Sequence, residues 1–239
     1  MKHVLLFIVS ATLLYSCRYF DGERVRGNGQ PSTDVRSVRS FDHVASFGSF
    51  DIELTTGNEQ SVKVETDENL QEFIETYVDG NTLKIKTRDG YSIRPRGHTK
   101  IYVTSPNYSS AIANGSGNIT GRNQIMSNGK LKLEVNGSGN IEMDVKAETV
   151  ETHIAGSGNI NVSGSAKEGE NSIHGSGNIR AGDLQTEESS VEIAGSGDVQ
   201  VYATSKLDVN IMGSGGVRYK GDASVSSHIA GSGSVSKIN

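Results

Sequence analysis

Seven serines of this chain stand between two glycines, in triplets that begin at Gly115, Gly137, Gly156, Gly175, Gly195, Gly213 and Gly231. A serine between glycines is the residue set of a nucleophile elbow, where a strained strand-to-helix turn exposes the hydroxyl for acyl transfer. That chemistry needs one such serine, so seven equivalent copies point to a repeated structural role. Three residues before each triplet stand Ile112, Glu134, His153, Ser172, Glu192, Asn210 and His228. Within this column only Glu134 and His153, in consecutive copies, bring a carboxylate beside an imidazole. The column reads as a solvated outer face. Glu142, Asp144 and Arg180 are residue types that could cleave a polysaccharide, which takes a pair of carboxyl groups in an acid–base arrangement. Carboxylates of neighbouring copies do not recur in pairs, however. Three residues after each first glycine stand Asn118, Asn140, Asn159, Asn178 and Asp198, then Gly216 and Ser234. Calcium-binding repeats place an aspartate every nine residues; here the column is mostly neutral and only Asp198 brings charge. Catalytic residues, a metal site and a cofactor are all absent from this reading. Asparagine tolerates left-handed backbone and can bond sideways to its counterpart in the next copy.

The triplets recur every 18 to 22 residues, the mark of a solenoid. Two residues before each first glycine stand Ala113, Val135, Ile154, Ile173, Ile193, Ile211 and Ile229; four after it stand Ile119, Ile141, Ile160, Ile179, Val199, Val217 and Val235. These apolar columns alternate with polar ones, which is a strand pattern on both sides of the glycines. A single copy is too short to bury its own apolar face. Stacked copies would bury continuous aliphatic ladders, each strand pairing in parallel with its counterpart one turn later. Each Gly-Ser-Gly then forms a corner of the coil, because glycine accepts positive φ and close backbone approach. The only aromatics within the repeats are Tyr202 and Tyr219, so the interior is expected to be narrow and aliphatic. The expected architecture is an all-β parallel β-helix with about 18–22 residues per turn, rather than a propeller, whose blades need about 40 residues.

The first 110 residues divide into three parts. Residues 1–16 carry a short basic start, an apolar run from Val4 to Leu14 and then Tyr15-Ser16 before Cys17. The run is too short to span a bilayer and reads as a signal-peptide core. Leu14-Tyr15-Ser16-Cys17 resembles the lipobox of bacterial lipoproteins, with Tyr15 the departure from it. The resemblance implies cleavage before Cys17 and diacylglycerol on its sulfur, hence a membrane partner. Cys17 is the only cysteine of the 239 residues, which rules out a disulfide within the chain. Residues 17–37 are polar, of mixed charge and without apolar period, and read as a lipidated tether. Residues 38–110 read as strands: "SFDIEL", "SVKVET" and "KIYVTSP" alternate, "NLQEF" suits one helical turn, and "IETYVDGNTLKIK" a hairpin. Most aromatics fall in this block, the expected thicker end. Without residues 1–16 the chain loses only Lys2 among its charges, leaving 22 basic against 28 acidic groups. This acidic balance argues against nucleic acid as a partner.

Residues 38–239 resemble the head-GIN-domain family of "putative autotransporter adhesins", often lipoproteins. The resemblance rests on "FDHVASFGSFDIEL", "VDGNTLKIKT", "KIYVTSPN" and five copies of Gly-Ser-Gly-[Asn/Asp]-[Ile/Val]. "GSGGV" and "GSGSV" at 213–217 and 231–235 depart from it. The resemblance implies a right-handed β-helix, with residues 38–110 its N-terminal β block and 111–239 its repeat. With the lipobox and the absence of a catalytic cluster, the expectation is a non-enzymatic, lipid-anchored protein of the bacterial cell envelope, at the outer membrane, acting as an adhesin or interaction scaffold. Two alternatives stand beside it: a polysaccharide-binding or polysaccharide-degrading β-helix, and a lipid carrier. The repeats, with two tyrosines and no tryptophan, advertise no aromatic platform for a sugar. A glycan, a protein or a second copy packing on the open end of the coil are the partners left open.

Overall fold

A computed structural model describes residues 22–238. The signal peptide, Cys17 and the start of the tether lie outside the described residues. Nearly every element is a strand, and all but two of the strands form two long sheets, one of ten strands and one of twelve. Each repeat contributes one strand to each sheet. Lys130–Gly137 and Asn140–Lys146 make one coil, Thr149–Gly156 and Asn159–Ser165 the next, and so on to Ser224–Gly231 and Ser234–Lys237. All pairings between successive repeats are parallel and place like residues side by side. Ala113, Val135, Ile154, Ile173, Ile193, Ile211 and Ile229 form one ladder. Ile119, Ile141, Ile160, Ile179, Val199, Val217 and Val235 form the facing one. Both ladders are almost wholly buried except in the last coil. Each such side chain contributes roughly 1.5–3 kcal/mol by leaving water. The protein is a β-solenoid.

The unequal repeat lengths are absorbed at two places. Gly175 and Gly195 are one residue further apart than the two preceding intervals, and a β-bulge takes up the difference, with Ala181 and Gly182 standing between the Asn161–Arg180 and Ser163–Asp183 pairs. The longest interval, after Gly115, is spent on the turn that carries the short strand Ile125–Met126.

The interior is not aliphatic throughout. Thr152, Asn171, Thr186 and Ser189 are buried within it. Thr152 donates to Asn171 Oδ1 at 2.9 Å, and Asn171 Nδ2 donates to Ser189 Oγ at 3.3 Å and to the Ser190 carbonyl at 3.2 Å. The polar island is tolerated because its members are hydrogen-bonded, Thr152, Asn171 and Ser189 to one another and Thr186 to the Tyr202 carbonyl, as buried polar groups must be. Gly169 stands opposite Val150 in the same interior row and leaves the room.

Chain order and spatial order differ at the N-terminal end. His43–Gly48 and Asp51–Thr56 lie directly against the Gly115 coil. Thr82–Thr87 and Lys100–Ser105 form the coil on their other side. The chain thus makes the second coil first, reverses to build the outermost one, and then steps back across the second to begin the repeats. Two antiparallel strands serve the reversal: Ser61–Asp67 against Lys100–Ser105, and Ile74–Asp79 against Thr82–Thr87. The latter is a hairpin whose two-residue turn, Gly80-Asn81, has φ +60° at Gly80 alone, as a type II′ turn requires. The 3-10 turn Glu68–Phe73 covers "NLQEF" and buries Leu70. Tyr108, fully buried, locks the step into the repeats: its hydroxyl donates toward the carbonyls of Thr55 at 3.0 Å and Val103 at 2.9 Å.

Within the stretch assigned to a tether, residues 22–37 are different from that assignment. Glu23–Arg26 pairs with Tyr91–Arg94, and Pro31–Arg36 runs antiparallel along Ser61–Asp67 as an edge strand. An edge strand needs little apolar patterning, since backbone bonds and side-chain hooks hold it. Arg36 donates to the carbonyl of Gln71 at 2.8 Å and to its Oε1 at 2.9 Å. Pro31 and the charges of Asp34 and Arg36 suit such an edge.

Candidate functional site

The Gly-Ser-Gly corners stack in a single row. The first glycines have φ between +125° and +140°, backbone that a side chain does not adopt without strain. A Cβ on any of them would meet the preceding corner's glycine carbonyl oxygen at 2.1–2.5 Å. The third glycines, Gly117 to Gly233, are crowded for another reason. Their Cβ would strike the carbonyl of the preceding coil, and in several coils an Ile or Val of the buried ladder as well. Each corner serine is exposed and gives its backbone N–H to the glycine carbonyl one coil back, at 2.9 Å from Ser138 to Gly115 and from Ser157 to Gly137. No hydroxyl is held ready for attack; the serines face water along an edge.

Beside the corners runs a row of amides. Asn118 donates to Asp51 Oδ1 at 2.8 Å, Asn140 to Asn118 and Asn159 to Asn140 at the same distance, and Asn178 to Asn159 at 3.0 Å. Asp51 begins the row although it lies before the repeats. Asp198 ends it, because a carboxylate cannot donate onward to Asn178; it accepts the backbone N–H of Gly216 at 3.0 Å instead. Each inner asparagine thus spends one donor and one acceptor on its neighbours.

The outer face of the twelve-stranded sheet carries Glu142, Asp144 and Arg180 to one place. With Asn161 and Asp183 they line a groove of about 430 Å³. Asp183 escaped sequence reasoning because the bulge shifts it into register with Ser163. The charges are largely occupied. Asp144 accepts from Gln124 Nε2 at 2.7 Å and Ser163 Oγ at 3.1 Å, Arg180 donates to Asn161 Oδ1 at 3.2 Å, and Lys220 meets Asp183 at 2.9 Å. At the near end of this face Glu53 holds both Lys100 and Arg122 at 3.2 Å, and its hydrogen bond raises the Lys100 pKa.

The outer face of the ten-stranded sheet carries the histidine column in the expected order. His153 Nδ1 lies 2.7 Å from Ser172 Oγ, and Glu134 precedes His153 in the same row. The resulting Glu–His–Ser line has the residue types of a charge relay, but its serine hydroxyl also turns back to the Thr152 carbonyl at 3.5 Å. Glu134 is committed as well. Burial works against its carboxylate, yet Lys132 at 2.6 Å, Asn136 at 2.7 Å and the nearby His153 hold its pKa below the usual value. Lys130 bridges Glu151 and Glu170 on adjacent coils at 2.7 and 2.8 Å, and these bonds push its pKa up. On both faces several polar groups are paired, among them Asp144, Arg180, Glu134, His153 and Lys130. Among the described residues no group of three or more His, Cys, Asp and Glu is placed to hold a metal ion, and no helix is long and apolar enough to cross a membrane.

The family model described as "Putative auto-transporter adhesin, head GIN domain" matches residues 40–223. The chain belongs to this family. Among solved structures, a "putative lipid binding protein" from Parabacteroides distasonis is 31% identical, with 91% of this chain and all of that chain covered and a TM-score of 0.75. A "putative adhesin" from Parabacteroides merdae is 25% identical over 91% of this chain and all of its own, with a TM-score of 0.73. A further "putative adhesin", from Bacteroides fragilis, shares the fold at 22% identity and a TM-score of 0.83, over 90% of this chain and all of its own. No curated protein matches the chain. The match begins at residue 40, so the family's pattern takes in the reversed N-terminal coils as well as the corners.

Proposed function

We propose that this protein is a non-catalytic interaction scaffold of adhesin type in the bacterial cell envelope, tied to the outer membrane by lipid on Cys17. The observation that carries the reading is the pairing of a filled core with in-register polar faces. The repeats build a rigid rod whose interior is taken up by side chains, while its broad outer surfaces are regular, hydrated and internally neutralised. That arrangement presents area to a partner. It offers no free relay: His153 and Ser172 bond each other, Glu134 is held by Lys132 and Asn136, and the corner serines face water. Membership of a family described as adhesins agrees with it. The relative called a lipid binding protein raises the carrier alternative, but an enclosed acyl chain would have to displace the Ile and Val ladders. The groove at Glu142, Asp144 and Arg180 is the best ground for a polysaccharide-directed alternative.

Protease shaving of intact cells tests the reading. Loss of the protein from unbroken cells supports an adhesin; survival until lysis rejects one and leaves a periplasmic scaffold. Cys17→Ser is expected to move the protein from the membrane fraction to the soluble one, and retention in the membrane would remove the lipid anchor from the proposal.

A further inference from the structure

The row of corners is interrupted once. Its first member is Gly48-Ser49-Phe50, with phenylalanine where every later corner has its third glycine. The coil outside it has no corner at all. Between the strands Thr82–Thr87 and Lys100–Ser105 the chain detours through residues 88–99, which include the strand Tyr91–Arg94. The detour stands off from the corner and leaves a pocket of about 520 Å³. Pockets of this size hold small ligands.

The lining is of two kinds. Phe47 and Tyr91 supply aromatic surface, Phe50 being itself buried, and Ser49, Arg88 and Asp89 supply polar atoms. Phe47 is 42% exposed, although its counterparts in the next two coils are Asn114 and Asn136. An exposed aromatic ring lining a pocket offers a stacking surface to a ligand. Tyr91 is held in place by Phe73, with ring centroids 4.7 Å apart, and Arg88 lies over Phe73 at 5.7 Å. The pocket wall is therefore braced before any ligand arrives.

The charges narrow the ligand class. Lys86 is paired with Asp89 at 2.7 Å and lies 3.6 Å from Glu75, and Arg88 lies 3.5 Å from Glu75 and 3.8 Å from Glu72. The three carboxylates outnumber the two cations, so a phosphate or carboxylate would enter a net negative surround. An acyl chain would have to lie among the charges and desolvate them. A neutral polyhydroxylated ring does neither: its C–H face covers an aromatic ring, and its hydroxyls give and take hydrogen bonds with Asp89, Arg88 and Ser49. We infer that this pocket binds a neutral hexose unit of a glycan. The inference rests on the adhesin reading above and supplies the class of its ligand.

The full-length protein is titrated with neutral glucose-, galactose- and mannose-based oligosaccharides by calorimetry. Ligand-induced shifts in the ring resonances of Phe47 and Tyr91 are followed by NMR. Binding of at least one oligosaccharide is expected, with the shifts confined to these rings. Phe47→Ala is expected to weaken it at least tenfold without changing the melting temperature. Tyr77→Ala, at another exposed aromatic, is expected to leave it intact. Absence of binding to every oligosaccharide at millimolar concentration overturns the inference. So does binding that Phe47→Ala leaves unchanged, or binding only to phosphatidylglycerol vesicles. Each of these leaves the shaving result untouched, so the pocket and the adhesin reading fail separately.

Discussion

The two ends of the solenoid are built by opposite rules. At the N-terminal end the parallel coils give way to antiparallel strands, a 3-10 turn and the buried Leu70. The last of these strands, Pro31–Arg36, is short and charged. At the other end the coils run out with their geometry unchanged. All eight residues of Ser224–Gly231 are exposed, and the ladder residue Ile229, like Val225, shows more than a third of its surface. Among the described residues only one device guards this edge. Lys237 pairs with Tyr219, which pairs with Val201, so a lysine occupies a row that faces the core in earlier coils. Its ammonium turns away to Asp222 at 2.8 Å. A charge in an inward position deters further strands. The family pattern stops at residue 223, one residue before this last coil. The difference teaches that a repeat propagates itself, whereas ending it takes dedicated chain.

Hydrogen exchange is the broadest way to break this comparison. Amides of Thr149–Gly156 are expected to be protected by several orders of magnitude more than those of Ser224–Gly231, since local opening is cheapest where few contacts are lost. Equal protection would mean that the last coil is covered by something in solution. Next comes one substitution made twice. Gly156→Ala places a Cβ 2.2 Å from the Gly137 carbonyl oxygen at φ +137°. It should cost about 3 kcal/mol in urea unfolding, from backbone strain and the clash with main chain. Gly231→Ala meets Gly213 at 2.1 Å with the same φ, yet should cost only about 1 kcal/mol because the last coil can fray instead. Equal costs would show that both coils are equally bound into the fold.

Tyr108→Phe sharpens the N-terminal side and should cost about 1–2 kcal/mol, because the Thr55 and Val103 carbonyls lose their donor. Burial pushes the Tyr108 phenol well above its usual value. The unfolded chain then loses this proton first, at about pH 10. The stability linked to Tyr108 is therefore complete below about pH 10 and declines as pH rises beyond it. The variant should flatten this alkaline decline in thermal melting; an unchanged slope would remove Tyr108 as its source. The smallest expected effect concerns self-association. The wild type should dimerise weakly through the exposed coil, and Lys237→Ile should shift the dimer to lower concentration in light scattering. Monomers at every concentration for both proteins would sink that use of the edge.

Much of the repeat region could be read in advance because one physical constraint recurs in it. Parallel strands in register put like residues side by side, so the columns drawn from the sequence are the rows seen in the solenoid, down to His153 beside Ser172. The hairpin at Gly80-Asn81 and the turn at "NLQEF" were legible as local signals. What escaped reading was non-local. The edge strands at residues 23–36 have no apolar period because they are held by backbone pairing and by Arg36. Asp183 reached the groove through a bulge that no spacing announces. No spacing announces that Phe47 and Tyr91 line one pocket, because a detour replaces the corner there.

The sequence by itself determined the coil: its period, the glycines that let one backbone lie against the next, and the aliphatic rows that leave water. These follow from short-range sterics and from side-chain alternation, which any single copy displays. Tertiary structure alone decided the order of the first coils, the polar island around Asn171, the neutralised outer faces and the pocket at the broken corner. Each of those depends on which distant residues share a neighbourhood. A chain that doubles back on itself sets such neighbours by packing, and the spacing of its residues carries no record of them.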